Sequence, residues 1–442
     1  MSDESNHTGV ALVGCGTVGG AVAALLTRDR DLIRGRSGRD VSLRHVVDID
    51  HSNARRVGLD ESLFRGELQP ALDDPEVGVV IELVGGTTFA RQVVESAIRA
   101  GRHVVTANKA LLSAHGPDLF ALARDNGVCI AFEASCVGGV PVIASLTGGL
   151  LANRIDALYG IVNGTCNSIL TEMTQRGRTY GDALADAQAA GLAEADPTLD
   201  VGGHDSAHKL TILASLAFGG RVELDAIPVN GIDDLDLQDI AYGRQLGYVI
   251  KLLAIASRQE DGLICRVRPA FISQAHPLAR VAGPFNAVSV YGHATGHTMY
   301  YGRGAGGLPT ASAVVADVLA VAIGAAPRSF AALGLWPDRT EPANQLPPEA
   351  NRSRYYLRLT AEDRPGVLAR LAAVFGRHGI GIRSVLQQEP TGSEQGVVPV
   401  VMTTHEALEG GVRAAIAEID DLDCVKARTV CIDIVDEHPE QL

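Results

Sequence analysis

The chain is poor in aromatic side chains, which make up 4% of it with a single tryptophan, and no two of its cysteines are spaced as CxxC. The seven cysteines (Cys15, Cys129, Cys136, Cys166, Cys265, Cys424, Cys431) are odd in number and scattered, which argues against a disulfide frame or a thiolate zinc site. They read as reduced, mostly buried small hydrophobes. Long apolar runs are also lacking. The most apolar stretches, near 128–152 and 311–326, are broken by Glu133 and Asp317 and are rich in Gly and Ala, so no membrane span is expected. Positive charge is outnumbered: the formal net charge of -14 would repel a phosphate backbone, and nucleic acid is not an expected partner. The start, MSDESNHTG, lacks the basic and apolar stretches of an export signal, so a cytoplasmic location is expected.

What the chain does have is length and apolar content. At 442 residues and 46% hydrophobic it exceeds a single core and predicts two or three domains. From Gly9 to about Ala134, short apolar runs alternate with helical patterns, the signature of a doubly wound α/β domain of Rossmann type. Strands are predicted at Gly9 to Val13, Ser42 to Asp48, Gly78 to Leu83, His103 to Thr106 and Val128 to Phe132. A helix from about Pro141 and a strand over Ala157 to Val162 follow, then a long helical stretch from Asn167 through Phe218. A further helix begins before Tyr248. Three β-rich runs come next, Leu263 to Phe271, Ala287 to Tyr291 and His297 to Tyr301, predicting an α+β unit whose open sheet suits a dimer interface.

The run from Pro309 has Pro at a helix start followed by strong helix formers, and is expected to return to the first domain. Residues 334–352, with Trp336, Pro337, Pro342, Pro347 and Pro348, have linker composition. Beyond them, Tyr355 to Leu359, a loop, a helix and further strand and helix runs (Val397 to Thr403, Glu406 to Ile419, Val425 to Val435) predict a βαββαβ ferredoxin-like module. The predicted division is 1–135 plus 308–335 for dinucleotide, 136–307 for substrate and dimerisation, 336–352 as linker and 353–442 as the terminal module.

In VALVGCGTVGG, Gly14, Gly16 and Gly19 follow a strand and open a helix, the context the dinucleotide fingerprint requires. Gly14 permits the tight turn, Gly16 a close approach of pyrophosphate, and Gly19 close helix packing, while the helix start at Thr17 and Val18 supplies partial positive charge. Asp48 is the acidic residue expected at the end of the second strand to take the ribose hydroxyls, which favours NAD. Arg55 and Arg56 just downstream suit the 2′-phosphate of NADP instead, so the preference stays open. Asn108 and Lys109 fall at a strand end, the edge where such sheets hold ligands, although a lone lysine there also suits a solvated helix start.

In GLAEADPTLDVGGHDSAHK, Asp205 and Lys209 are spaced i and i+4 on one helix face, and Glu194 arrives from the preceding loop. A lysine desolvated and held by a carboxylate can give or take the proton that accompanies hydride transfer to or from a carbonyl. Glu194 suits the ammonium of an amino-acid substrate. His204 and His208 are also four apart but lack the Glu of HExxH, which argues against a metal. Irregular backbone in FEASCVGGVPV can turn carbonyls toward a cation, and the small residues of YYGRGAGGLPTAS, with Gly302 and Gly306, allow backbone close to the nicotinamide end.

Taken in order, GCGTVG, ELVGG, TANKALLS, FEAS with GGVP, NGTCNSIL, GLAEADPTLDVGGHDSAHK and GRGAGGLPTASAVVAD resemble homoserine dehydrogenase over about three quarters of the chain. The resemblance implies reversible NAD(P)-dependent oxidation of L-homoserine to L-aspartate 4-semialdehyde, on the route to threonine and methionine. It further implies Lys209 as proton donor, Lys109 as a second active-site lysine beside the cofactor, Asp205 and Glu194 as substrate holders, and Gly191 as a backbone contact to homoserine. A monovalent cation, usually sodium, is implied on the main-chain oxygens of Glu133, Cys136, Gly138 and Val140; the family usually has an aliphatic residue at Cys136. The tail resembles an ACT domain, with Asp363, Gly366 and Val367 of DRPGVL at the turn where such modules bind an amino acid. Threonine is the expected effector and a homodimer or homotetramer the expected assembly. The competing readings are a dehydrogenase of another amino-acid-derived alcohol or aldehyde, and a catalytically silent amino-acid sensor.

Overall fold

The structure, a computed structural model, describes residues 6–387 and 396–439. Most of the polar start, Gln388 and the last three residues of the terminal module lie outside the described residues.

Strands β1 (His7–Val13), β2 (Asp40–Val47), β3 (Phe64–Arg65), β4 (Val77–Glu82), β5 (His103–Thr106) and β6 (Ile130–Ala131) form a six-stranded sheet in the order β3-β2-β1-β4-β5-β6. All the pairings are parallel. Its strands read as continuous Val/Ile runs because helices cover both faces: Val10 to Leu12 and Val79 to Ile81 have no exposed surface. The strand order reverses between β1 and β4, which opens a crevice at their carboxyl ends. Helix Gly307–Ala322 packs against helix Thr17–Arg28.

Strands β7 (Ile155–Ile161), β8 (Tyr248–Gln259), β9 (Gly262–Ser273), β10 (Phe285–Gly292) and β11 (Gly296–Arg303) form an antiparallel sheet in the order β11-β10-β7-β8-β9. The terminal module supplies β12 (Arg352–Glu362), β13 (Ile382–Gln387), β14 (Val397–Thr404), the short β15 (Ala407–Leu408) and β16 (Val425–Val435). Its order β16-β12-β14-β13, with helices Val367–Arg377 and Glu409–Asp420, is the expected ferredoxin-like one. The two sheets are continuous, because β16 pairs in parallel with the end of β9, Asp433 opposite Ala270 through Val435 opposite Ile272, giving ten strands.

Three features depart from expectation. The stretch from Asn167 to Phe218 is four helices, Gly164–Arg176, Tyr180–Ala189, Thr198–Val201 and His204–Phe218. Gly177, Gly191 and Gly203 adopt positive φ at the breaks, which Ala/Leu periodicity does not register. Strand β8 was not expected; its run YVIKLLAIAS is buried on both faces, and such a run carries no period to separate strand from helix. The Pro-rich segment is docked, not free. Trp336 packs among Phe120, Phe132 and Phe330, Leu263 N–H donates to the Asn344 carbonyl while its own carbonyl accepts from Leu346 N–H, and Ala343 N–H donates to the Arg221 carbonyl.

Buried charges join the halves of the long sheet. Arg266 lies 3.2 Å from Asp433, Arg268 lies 3.2 Å from both Glu409 and Asp433, and Asn351 bridges Arg266 and Glu409. Beside them the Arg358 guanidinium grips both oxygens of Asp239 at 2.6 and 2.8 Å, and the Tyr356 hydroxyl donates to the same carboxylate at 2.8 Å. Asp239→Ala leaves both groups without their acceptor and is expected to cost about 3–5 kcal/mol. Guanidinium denaturation followed by circular dichroism reads this as a lower midpoint, and an unchanged midpoint shows that the contact does not stabilise the fold.

Candidate active site

Helix His204–Phe218 begins at Gly203, which is held at φ +85°, and carries Asp205 in its first turn, where the helix dipole favours a carboxylate. Asp205 lies 3.0 Å from Lys109 Nζ through one oxygen and 2.7 Å from Lys209 Nζ through the other. Lys209 also donates to the Val162 carbonyl at 2.7 Å, and its side chain is 11% exposed, against 35% for Lys109. Lys109 is the first residue of helix Lys109–Asp125, where the dipole disfavours a cation, and Asp205 compensates. Burial works to raise the Asp205 carboxyl, but the charges of Lys209 and Lys109 and hydrogen bonds from Lys209 and Asn163 hold it well below the usual range. Burial works to lower Lys109, and the charge and hydrogen bond of Asp205 outweigh it, raising the ammonium.

Asn163 ties this cluster together: its side-chain amide donates to Asp205 and to Asp200, both at 2.8 Å, while its carbonyl oxygen caps helix Gly164–Arg176 through Cys166 N–H. The Thr165 hydroxyl lies 2.8 Å from the Leu192 carbonyl and 3.1 Å from Asp200, which anchors the loop carrying Gly191 and Glu194 beside the cluster. Glu194 itself is exposed, and among the described residues no basic side chain pairs with its carboxylate. The structure therefore brings Lys109, Asp205 and Lys209 into contact but does not join Glu194 to them. Asn163 and Asp200 carry no role in the sequence reading; the side-chain cap at Asn163, three residues before Cys166 N–H, is the signal that marks the first.

At the crevice, Gly14 has φ +92°, and a methyl group there would lie 2.7 Å from Leu83 backbone. A methyl at Gly19 would lie 2.1 Å from the Gly14 carbonyl oxygen, so the helix rests directly on the turn. Gly16 faces open space, and helix Thr17–Arg28 starts there. Gly307, next to Gly306 at the start of the returning helix, packs on Thr17, so two helix N-termini meet at the turn. Gly302 instead sits on β11 against Val140. Asp48 reaches the Gly-rich turn: its carboxylate accepts from Cys15 N–H and, at 3.0 Å, from Asp50 N–H, while Asn53 donates to the Cys15 carbonyl at 3.0 Å. Arg55 is engaged by Glu61 at 2.7 Å. Fully buried Glu82 braces the next strand ends, accepting from Val84 N–H, Gly85 N–H and the Thr106 hydroxyl.

The loop from Glu133 to Val140 is buried except for Gly139 and turns through positive φ at Val137 and Gly138. The Glu133 carboxylate accepts from Ile143 and Ala144 N–H, and its own N–H donates to Asp317. Burial pushes both carboxyls up, Asp317 further through the charge of Glu133. In the terminal module, Gly366 at φ +89° starts helix Val367–Arg377, Asp363 and Gly366 are exposed, and Val367 is buried.

A glycine turn at a parallel-sheet switch point, two helix starts and a desolvated lysine at the adjoining strand ends define a nicotinamide-dependent oxidoreductase. The chain belongs to the homoserine dehydrogenase family: it matches the models for homoserine dehydrogenase over residues 141–319, for the homoserine dehydrogenase NAD binding domain over 14–133 and for the ACT domain over 355–423. It is an NAD(P)-dependent enzyme acting on a CH–OH group. Homoserine dehydrogenase of Pseudomonas aeruginosa is 45% identical over 96% of this chain and 98% of its own, and that of Bacillus subtilis is 38% identical over 94% and 96%. The crystal structure of a homoserine dehydrogenase from Thiobacillus denitrificans superposes with a TM-score of 0.91 at 42% identity, covering 97% of this chain and 98% of that one. A hyperthermophilic archaeal homoserine dehydrogenase in complex with NADPH superposes at 0.58 with 25% identity, over 71% and 97%.

Two glycine substitutions separate structure from ligand contact. Gly19→Ala is expected to destabilise the fold, because the methyl meets a carbonyl that cannot move aside. Gly16→Ala, facing open space, is expected to change stability by no more than about 1 kcal/mol while weakening cofactor binding about tenfold or more. Thermal melts and cofactor fluorescence titrations read the two effects, and equal behaviour of the pair refutes the distinction.

Proposed function

We propose that Lys209 moves the hydroxyl proton in the reversible oxidation of L-homoserine to L-aspartate 4-semialdehyde, with Asp205 setting its position. The observation that carries this reading is the meeting of Lys109 and Lys209 on the two oxygens of one buried carboxylate beside the crevice. Bound NAD(P) supplies the hydride acceptor or donor. Lys209, nearly sealed from solvent, delivers a proton to the oxygen in the reducing direction and receives it in the oxidising one. Lys109 presents a second cation to the polarised oxygen. Since both Asp205 oxygens are occupied by lysines, the substrate ammonium falls to Glu194, whose carboxylate has no basic partner among the described residues, with the Gly191 backbone alongside. This keeps the ammonium with Glu194, as the sequence suggests, and leaves Asp205 to hold the lysines.

Asp48 at the end of β2 favours the free ribose of NAD, and Arg56, which forms no ion pair among the described residues, is the cation available to the 2′-phosphate of NADP. For a monovalent cation, sodium above all, the residues fit. Among the described residues the Cys136 and Gly138 carbonyls accept no hydrogen bond, the Glu133 and Val140 carbonyls accept one each, and two buried carboxyls without a basic partner stand beside the loop. A carbonyl ligand at Cys136 is indifferent to the thiol. We further propose threonine as the effector at Asp363, Gly366 and Val367, a homodimer or homotetramer as the assembly, and a cytoplasmic setting in keeping with free thiols.

Absorbance at 340 nm with homoserine and NAD+ or NADP+ tests the central claim. Lys209→Ala is expected to lower kcat by about 10³ or more while leaving cofactor binding nearly unchanged. Unchanged turnover removes Lys209 from the mechanism. Threonine titration is expected to lower activity or shift sedimentation of the parent and to lose that effect in Asp363→Ala; activity and sedimentation both indifferent to threonine count against the effector assignment.

A further inference from the structure

Only four of the 38 basic residues are lysines. Lys109 and Lys209 share Asp205, and Lys426 lies 2.6 Å from Glu362. The fourth, Lys251 on β8, is 3% exposed and has no carboxylate partner among the described residues. Its ammonium donates to Asn167 Oδ1 at 3.1 Å and to the Val281 carbonyl at 2.5 Å, which leaves one N–H unused. Burial pushes this ammonium down to about 8, and no neighbouring charge offsets it. A buried cation with neutral partners alone is costly, and apolar packing would fill the same volume at lower free energy.

Lys251 stands at the wall of a cleft of about 350 Å³ between helix Gly164–Arg176 and the segment after β9. Arg244 and Arg280 line the same cleft, both are exposed, and neither forms an ion pair among the described residues. Thr174, also lining it, has a buried hydroxyl without a hydrogen-bond partner. Among the described residues no Asp or Glu lines the cleft, although the chain carries a net charge of -14. The cleft shares no lining residue with the Gly-rich turn or the Asp205 cluster, yet it is linked to the latter: Asn167 N–H donates to the Asn163 carbonyl at 3.2 Å, and Asn163 holds Asp205.

We propose that this cleft binds a small oxyanion, the phosphate or carboxylate group of a compact metabolite, with Lys251 as its buried point charge, Thr174 as a hydroxyl donor and Arg244 and Arg280 at its mouth. A lysine suits this place because its compact ammonium acts as a point charge on an oxyanion, with one N–H still to give.

Isothermal calorimetry tests the site on the whole enzyme held at saturating NADP+, so that the pyrophosphate turn is already filled. Inorganic phosphate and succinate are titrated separately into the parent, Lys251→Met and Arg280→Gln. At least one anion is expected to bind the parent with a sub-millimolar Kd, to bind Arg280→Gln about tenfold more weakly, and to give no heat with Lys251→Met. Binding of phosphate alone assigns a phosphoryl ligand, and binding of succinate alone a carboxylic one. Arg280 is exposed and forms no ion pair among the described residues, so Arg280→Gln decides the matter even if Lys251→Met fails to fold. No binding of either anion at millimolar concentration, or affinity unchanged by Arg280→Gln, overturns the proposal.

Discussion

One buried carboxylate organises the molecule. Asp205 can stay ionised out of water only because two ammonium groups, an amide and a helix start face it together, and the loss of any one leaves charge uncompensated in a place of low polarisability. Those partners come from distant parts of the chain: Lys109 from the carboxyl edge of the parallel sheet, Asn163 from the end of β7, Lys209 from one turn further along the same helix. The electrostatic demand of a single anion thus fixes how the nucleotide half meets the central half.

The opposite side of the central sheet is joined by different physics. Where β9 meets β16, backbone pairing is reinforced by Arg266, Arg268, Glu409 and Asp433, all nearly sealed from solvent. Such pairs contribute less to stability than apolar packing of equal volume, but they tolerate few alternative registers, since a slip of one residue would bury each charge against nothing. Their presence here gives the ACT module a defined seat on the sheet whose other strands, through β7, lead to Asn163.

How much of this is written in the residues themselves differs from place to place. The parallel sheet is legible because its strands are short Val/Ile runs punctuated by helices, and the Gly14, Gly16, Gly19 spacing carries its own steric reason. The i, i+4 placement of Asp205 and Lys209 puts them in reach of each other before any tertiary contact forms. The meeting with Lys109 is a long-range event with no local signature, and the resemblance, not the spacing, points to it. Asp48 illustrates the limit: its position at the end of β2 is readable, yet its engagement with Cys15 N–H depends on how the turn closes. Strand β8 escapes notice because burial on both faces erases the alternation that marks a strand. The docking of the Pro-rich segment escapes for a different reason, since its contacts are main-chain bonds that composition does not encode.

Strand β16 follows β12, β13 and β14 along the chain but lies between β9 and β12 in the sheet. Until it inserts, the end of β9 and one whole side of β12 present open rows of N–H and C=O groups, the templates on which chains stick to each other. Sheet completion therefore ends at an interior strand and waits on a closure that brings Asp433 back to Ala270. During synthesis, the partly made chain carries both rows until β16 is complete, so slow elongation or early termination late in the terminal module leaves the newborn molecule open to self-association.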